Sequence, residues 1–145
     1  MDDGKILRIE REFKAPPEAV YNAWVDPEIL TKWWGPEGMT TPELELNTYE
    51  GGSWTATMES AEGNQMTTSG NYKVLEPPSR LVFTFAWTQD DGSRGAETEI
   101  EITLAKSDIG TLMTLVQGTF ADMAARDGHN EGWSSSFNDL DKVLG

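Results

Sequence analysis

The chain has 145 residues, a length typical of one domain that buries roughly two-thirds of the surface its unfolded form exposes. It is 37% hydrophobic and contains six tryptophans, which is too apolar for a disordered chain, while its net charge of −14 would repel nucleic acid and anionic lipid headgroups. Cysteine is absent, which excludes disulfides, thiolate nucleophiles and the common zinc sites.

The N-terminus begins with acidic residues, whereas a signal peptide begins with a basic flank and an apolar segment. No apolar run approaches the roughly 18 residues of a membrane span, and there is no internal repeat or long linker. We therefore expect one domain over residues 1–145, located in the cytoplasm, with no nucleic-acid partner and no membrane insertion. The sequence leaves the oligomeric state open.

The first predicted elements are one strand and two short helices. Leu7, Ile9 and Phe13 alternate with charged residues, as in a half-buried strand. Helical spacing follows, with Pro17 suited to a first turn, and the pair Asp26-Pro27 is a start signal for a second helix.

The second short helix is expected to carry Ile29, Leu30, Trp33 and Trp34 and to end at the Gly35-Pro36 pair. Adjacent helical residues point about 100° apart, so one tryptophan can enter the core while the other borders an opening. The alternative is that both are ordinary core residues, since tryptophan is mostly buried.

Six further segments alternate with the period of two that is typical of antiparallel strands. The fourth of them carries an aromatic stripe and is the strongest strand signal, whereas the last is apolar on both faces, which leaves its register open. The alternating positions of the first five segments are Leu44 and Leu46; Trp54, Ala56 and Met58; Met66, Thr68, Gly70, Tyr72 and Val74; Leu81, Phe83, Phe85 and Trp87; and Ile100, Ile102 and Leu104. The last segment covers residues 111–120.

A long amphipathic helix is predicted at the C-terminus, with Trp133, Phe137 and Leu140 on its apolar face, followed by Leu144. Gly128 and Gly132 each cost about 1 kcal/mol relative to alanine inside a helix, so we expect a kink or a late start there. One face of a sheet of about seven strands needs a cover, and this helix is the only predicted element long enough to supply it.

This order of elements, together with four short segments, resembles the family related to the C-terminal domain of the heat-shock protein 90 ATPase activator, within the SRPBCC (START-like) superfamily. The resemblance implies an α+β helix-grip fold, in which a curved antiparallel sheet wraps around the last helix and encloses an apolar cavity. The segments that carry it are "APPEAVYNAWVDPEILTKWW", "GGSWTATM", "GNYKVLEPPSRLVFTF" and "HNEGWSSSFNDL", which follow "ILRIEREF".

On that fold, nine apolar residues are candidates to contact a ligand, although an ordinary packed core would use the same residue types. Arg11 and His129 are the polar candidates at the cavity mouth. By alternation Arg11 points inward from the first strand, where it would pair with a buried carboxylate or with an acidic group of a ligand. The apolar candidates are Trp34, Met58, Met66, Phe83, Phe85, Trp87, Met113, Trp133 and Phe137.

His129 is the single histidine, and carboxylates and serines lie near it in sequence. Residues so close on one helix cannot easily surround a substrate as a catalytic triad, so we expect a surface or capping histidine whose only functional role is a hydrogen bond at the cavity mouth. One histidine and scattered carboxylates match no metal-ligand spacing. We therefore predict no catalytic residue, no metal and no cofactor.

The resemblance leaves three functions open, because its members differ in activity. The first, which we favour, is a protein that binds a small hydrophobic molecule and is not an enzyme. The second is a chaperone-interaction protein, although the co-chaperone's activity depends on another, N-terminal domain that we do not expect in this chain. The third is a weak cyclase or dehydratase, which would need a polar pair inside the cavity. A cavity of about 300 Å³ or more would favour the first over the second.

Overall fold

The computed structural model describes residues 5–144, which form one antiparallel sheet of seven strands with three helices. The strands lie in the order β1-β7-β6-β5-β4-β3-β2, and every neighbouring pair is antiparallel. This is the predicted helix-grip α+β fold. In chain order the elements are β1 (Leu7–Phe13), α1 (Pro17–Val25), α2 (Pro27–Leu30), β2 (Thr40–Leu46), β3 (Ser53–Glu59), β4 (Gln65–Glu76), β5 (Arg80–Trp87), β6 (Thr98–Lys106), β7 (Thr111–Gly118) and α3 (Met123–Leu144).

The helix α2 begins where the sequence predicts and ends earlier. Asp26 caps it, because its carboxylate accepts a hydrogen bond from the backbone N–H of Glu28 at 2.9 Å. The helix ends at Leu30, so the prediction that it carries Trp33 and Trp34 is wrong. The two tryptophans lie in the following turns, where the backbone N–H of Trp34 still donates to the Leu30 carbonyl at 2.9 Å.

The helix α3 begins earlier than predicted. Asp122 accepts a hydrogen bond from the N–H of Ala125 at 2.8 Å, which satisfies one of the free donors of the first turn. The helix then runs without interruption through Gly128 and Gly132, so the late start expected at these residues is wrong. Tertiary contacts on the rest of the helix offset the weak helical preference of the two glycines.

The core lies between the inward face of the sheet and the helices. Its largest fully buried side chains include Phe13 of β1, Phe137 of α3 and Trp33, and α3 also buries Trp133 and Leu140. The burial pattern settles the register that the sequence left open in β7. Every second residue from Thr111 to Gln117 is buried, and the residues between them are half-buried on the other face.

Candidate functional site

A cavity of about 360 Å³ lies between α3, the ends of β3, β4 and β5, and the segment 35–39 that follows α2. Its walls are almost wholly apolar and are rich in aromatic rings and methionines. The surrounding residues are Trp34, Gly35, Pro36, Met39, Met58, Met66, Thr68, Phe85, Trp87, Ala125, Gly128, His129, Gly132, Trp133 and Ser136.

Seven of the residues singled out in the sequence lie around this cavity. The rings of Trp34 and Trp133 meet edge to face with centroids 5.3 Å apart, and Phe85 meets Trp87 in the same way at 5.6 Å. Met66 is 40% exposed, so the cavity opens beside it. The seven are Trp34, Met58, Met66, Phe85, Trp87, His129 and Trp133.

Three predicted contact residues do not line the cavity, because other side chains cover them. Phe83 packs against the indole of Trp24, with centroids 6.0 Å apart. Met113 is fully buried, and its sulfur accepts a hydrogen bond from the Trp24 N–H at 3.4 Å. Phe137 is also fully buried and stacks on Trp133 with centroids 5.7 Å apart. These three belong to the core beneath the cavity.

Arg11 points inward as alternation predicts, but the structure does not bring it to the cavity. It is half-buried beside α3, where its guanidinium donates to the Ser134 carbonyl at 3.4 Å and lies 5.7 Å from the centroid of the Phe13 ring. Within residues 5–144 no carboxylate forms an ion pair with it. The position at the cavity mouth expected for Arg11 is therefore wrong, and so is the buried ion pair.

The two adjacent tryptophans differ in what they contact. Trp33 is 1% exposed, and its indole N–H donates to the Ala23 carbonyl at 3.0 Å inside the core. Trp34 points to the other side and forms part of the cavity wall. Both tryptophans are buried among the core residues, and Trp34 in addition borders the cavity.

His129 is held on both sides of its ring at the cavity wall. The Trp87 indole N–H donates to Nε2 at 3.0 Å, so Nε2 carries a lone pair, and Nδ1 then donates its proton to the Ala125 carbonyl at 2.9 Å. His129 is half-buried at the cavity wall and does not lie on the open surface. With both ring nitrogens engaged, His129 is placed to fix the Trp87 ring.

Sequence reasoning missed that Gly128 and Gly132 belong to the site. A β-carbon added to either would meet no atom within 4 Å, because both residues face open space in the cavity. Ala125 and Ser136 lie on the same face of α3. The available signal was the spacing of Gly128, Gly132 and Ser136, four residues apart on one helical face.

A buried hydrogen-bond chain supports the cavity wall from below. The Trp133 indole N–H donates to the side-chain carbonyl of Gln117 at 2.8 Å, and the amide nitrogen of Gln117 donates to the hydroxyl of Thr98 at 2.9 Å. Gln117 is fully buried. Since a buried amide is costly unless its groups are paired, this chain fixes the orientation of the Trp133 ring.

The segment 35–39 forms one side of the cavity, and Glu37 within it forms hydrogen bonds to α3. The Glu37 backbone N–H donates to the Ser135 hydroxyl at 2.8 Å, and its carboxylate accepts from the Asn138 amide at 3.0 Å. Lys142 lies 3.8 Å from the same carboxylate. The hydrogen bond from Asn138 and then the charge of Lys142 lower the pKa of Glu37 below its usual 4.5.

We expect this attachment to weaken at acidic pH. Because the folded-state pKa of Glu37 lies below the unfolded value, its contribution to stability is present above pH 4.5 and is lost as the pH falls through the folded-state value. Urea unfolding of the protein and of Glu37→Gln should show a stability difference at pH 7 that disappears at low pH. Glu62→Gln, in an exposed turn, is the control. A difference that does not change with pH would contradict the ionic attachment.

Two features are absent within residues 5–144. No three side chains of the types that bind metals are grouped closely enough to hold an ion. No helix in the described range has the length and apolarity needed to cross a membrane.

The sequence matches the family described as "Activator of Hsp90 ATPase homolog 1-like protein" over residues 14–145. No curated protein is significantly similar to it in sequence. Among solved structures, an AHSA1 protein from Silicibacter pomeroyi is 34% identical, with 96% of each chain covered and a TM-score of 0.89. A protein from Chromobacterium violaceum is 29% identical over 97% of each chain, with a TM-score of 0.87. One from Mycobacterium smegmatis is 25% identical over 100% of this chain and 93% of its own, with a TM-score of 0.85.

Proposed function

The chain belongs to the activator of Hsp90 ATPase homolog 1-like family, within the SRPBCC superfamily, and on this premise we propose that it binds a small, mainly hydrophobic molecule in the cavity beside α3. The observation that carries the proposal is an apolar space of about 360 Å³ that no side chain fills. Ligand sites in proteins typically enclose about 300–1,000 Å³. The proposal includes a cytoplasmic location and no nucleic-acid partner.

The composition of the walls also supports a ligand. Protein cores are packed to the density of organic crystals, so an unfilled space of this size is unusual in a core that serves stability alone. Methionine side chains adapt their shape to what they contact, and Met39, Met58 and Met66 surround the cavity. The two glycines of α3 keep that side of it open.

The other two functions have less support. Binding to a chaperone would not require an unfilled cavity. Catalysis of a cyclisation or dehydration needs an acid–base pair in reach of the substrate. Among the lining residues only His129 has an acid–base side chain, and both of its ring nitrogens are already engaged.

The proposal is tested by titration with the uncharged solvatochromic dye 6-propionyl-2-(dimethylamino)naphthalene. We expect saturable binding, a blue shift of the dye's emission and quenching of tryptophan fluorescence, because Trp34, Trp87 and Trp133 surround the cavity. Gly132→Leu places a side chain in the open space beside Gly132 and should weaken binding by about tenfold or more while the protein still folds.

The matched control is Glu131→Leu, which adds the same side chain one position earlier on the exposed side of α3. It should leave the affinity for the dye nearly unchanged. Failure of this dye and of other uncharged apolar probes to bind saturably would contradict the proposed function. Equal affinity of Gly132→Leu and Glu131→Leu would place the dye somewhere other than this cavity.

A further inference from the structure

Trp34 differs from every other tryptophan of the chain in its hydrogen bonding. Five of the six indole N–H groups donate to a protein acceptor, whereas the Trp34 N–H donates to none within residues 5–144. The five paired residues are Trp24, Trp33, Trp54, Trp87 and Trp133, whose acceptors are the Met113 sulfur, the Ala23 and Thr84 carbonyls, His129 Nε2 and Gln117 Oε1. A buried indole N–H normally finds a partner.

The unpaired N–H of Trp34 is reached from a space inside the protein. Trp34 is only 6% exposed, yet its Nε1 is not sealed among protein atoms, since Ser107 Oγ is the one such unpaired buried atom in the described part of the chain. Trp34 borders two spaces, the cavity and a crevice of about 10 Å³. The crevice is at the lower limit for a single water molecule, so only the cavity can supply an organic acceptor.

The other polar groups of the cavity already have partners. The Ser136 hydroxyl donates to the Gly132 carbonyl at 3.0 Å and the Thr68 hydroxyl to the Ala56 carbonyl at 3.5 Å, while His129 is engaged at both nitrogens. Trp34 is therefore the side chain of the wall with an unused donor, whereas the Ser136 and Thr68 hydroxyls have only acceptor lone pairs left.

The cavity also offers nothing to balance a negative charge. None of the described residues that line it is Lys or Arg, and the chain carries a net charge of −14. An anion in an apolar site without a cationic partner loses its hydration without compensation, and the field of the protein opposes its approach. A carboxylate or phosphate headgroup therefore does not fit.

We propose that the cavity selects an uncharged ligand carrying a hydrogen-bond acceptor, such as a ketone or ester carbonyl, that accepts the free N–H of Trp34. This inference rests on the proposed function and narrows the class of ligand. It assigns Trp34 as the residue that orients the ligand, with the remaining aromatic and methionine side chains supplying contact area.

Three probes of nearly the same shape separate the two parts of the proposal. In 2-acetylnaphthalene the acceptor is a ketone, in 2-isopropenylnaphthalene the oxygen is replaced by a CH₂ group, and 2-naphthoate carries a carboxylate. Each probe is measured by its displacement of the solvatochromic dye. The dissociation constant should be about three- to tenfold lower for the ketone than for the alkene, because this factor corresponds to the free energy of one hydrogen bond. The carboxylate should bind at least about tenfold more weakly than the ketone.

Trp34→Phe keeps an aromatic ring and removes the N–H, so it should bind ketone and alkene equally. Trp54→Phe is the matched control, because Trp54 lies beside Trp34 but does not line the cavity and donates its N–H to Thr84. It should keep the preference for the ketone. The preference of the unaltered protein for the ketone over the alkene tests the proposal without any variant. The proposal can therefore be contradicted even if Trp34→Phe fails to fold.

Equal binding of ketone and alkene by the unaltered protein would overturn the role of Trp34, as would a ketone preference that survives in Trp34→Phe. Naphthoate that binds as tightly as the ketone would overturn the exclusion of anions. If the dye binds but none of the three probes displaces it, the inference is wrong and the proposed function stands. If neither the dye nor any of the three probes binds, the proposed function fails and this inference fails with it. If all three bind alike, the proposed function stands and only the inference is wrong.

Discussion

Replacing Phe137 with alanine is expected to lower the free energy of unfolding by about 3–5 kcal/mol, measured by urea denaturation. Phe137 is fully buried at the centre of the aromatic core, where it stacks on Trp133 and meets the edge of Phe13 at a centroid distance of 6.4 Å. The large indole and phenyl rings around it cannot collapse easily into the vacated space, which places the cost toward the upper end of this range.

The control for Phe137→Ala is Asp141→Ala, an exposed position one turn further along α3. It should change stability by about 0.5 kcal/mol or less. Because Phe137 does not line the cavity, the Phe137→Ala protein that remains folded should retain much of its affinity for the dye. A small stability change for Phe137→Ala, similar to that of the control, would contradict the packing described for α3.

Replacing Gly70 with alanine is expected to destabilise the sheet by about 3 kcal/mol or more. A β-carbon at this position would overlap the Thr84 carbonyl of β5 and would lie 2.7 Å from the Trp54 indole nitrogen. Trp54 pairs with Gly70 across β3 and β4, and its N–H donates to that same carbonyl at 3.1 Å. The substitution would therefore force the strands apart and leave a buried donor and acceptor unpaired.

Thermal and urea unfolding of Gly70→Ala would measure the effect, with Gln65→Ala on an exposed position of β4 as the control. We expect Gln65→Ala to remain within about 0.5 kcal/mol of the unaltered protein. If Gly70→Ala proved as stable as Gln65→Ala, the close crossing of Trp54 over the strand at Gly70 would be wrong.

The strands and the terminal helix could be predicted because each carries a local periodic signal. The alternation of Leu7, Ile9 and Phe13 and the helical spacing of Trp133, Phe137 and Leu140 depend on residues close in sequence, and both appear in the structure on the buried faces expected. The end of α2 was missed since the turns after Leu30 keep helical hydrogen bonds without forming a longer helix.

The division between core and cavity could not be predicted, because alternation gives the face of a residue and not its depth. Phe83 and Phe85 point to the same side of β5, yet Trp24 from α1 covers Phe83 and leaves Phe85 on the cavity. Met113 is likewise covered by Trp24. The covering residue belongs to an element far away in the sequence, so its effect is set by tertiary packing alone.

Because Gly128 and Gly132 lie inside α3, the protein is less stable than its fold allows. Alanine would be about 1 kcal/mol better at each position and would meet no steric obstacle, so selection for a robust fold alone would have favoured it. Glycine at both positions therefore lowers helix stability and leaves that side of the cavity open. Redesign of this chain for stability alone would replace both glycines and narrow the cavity.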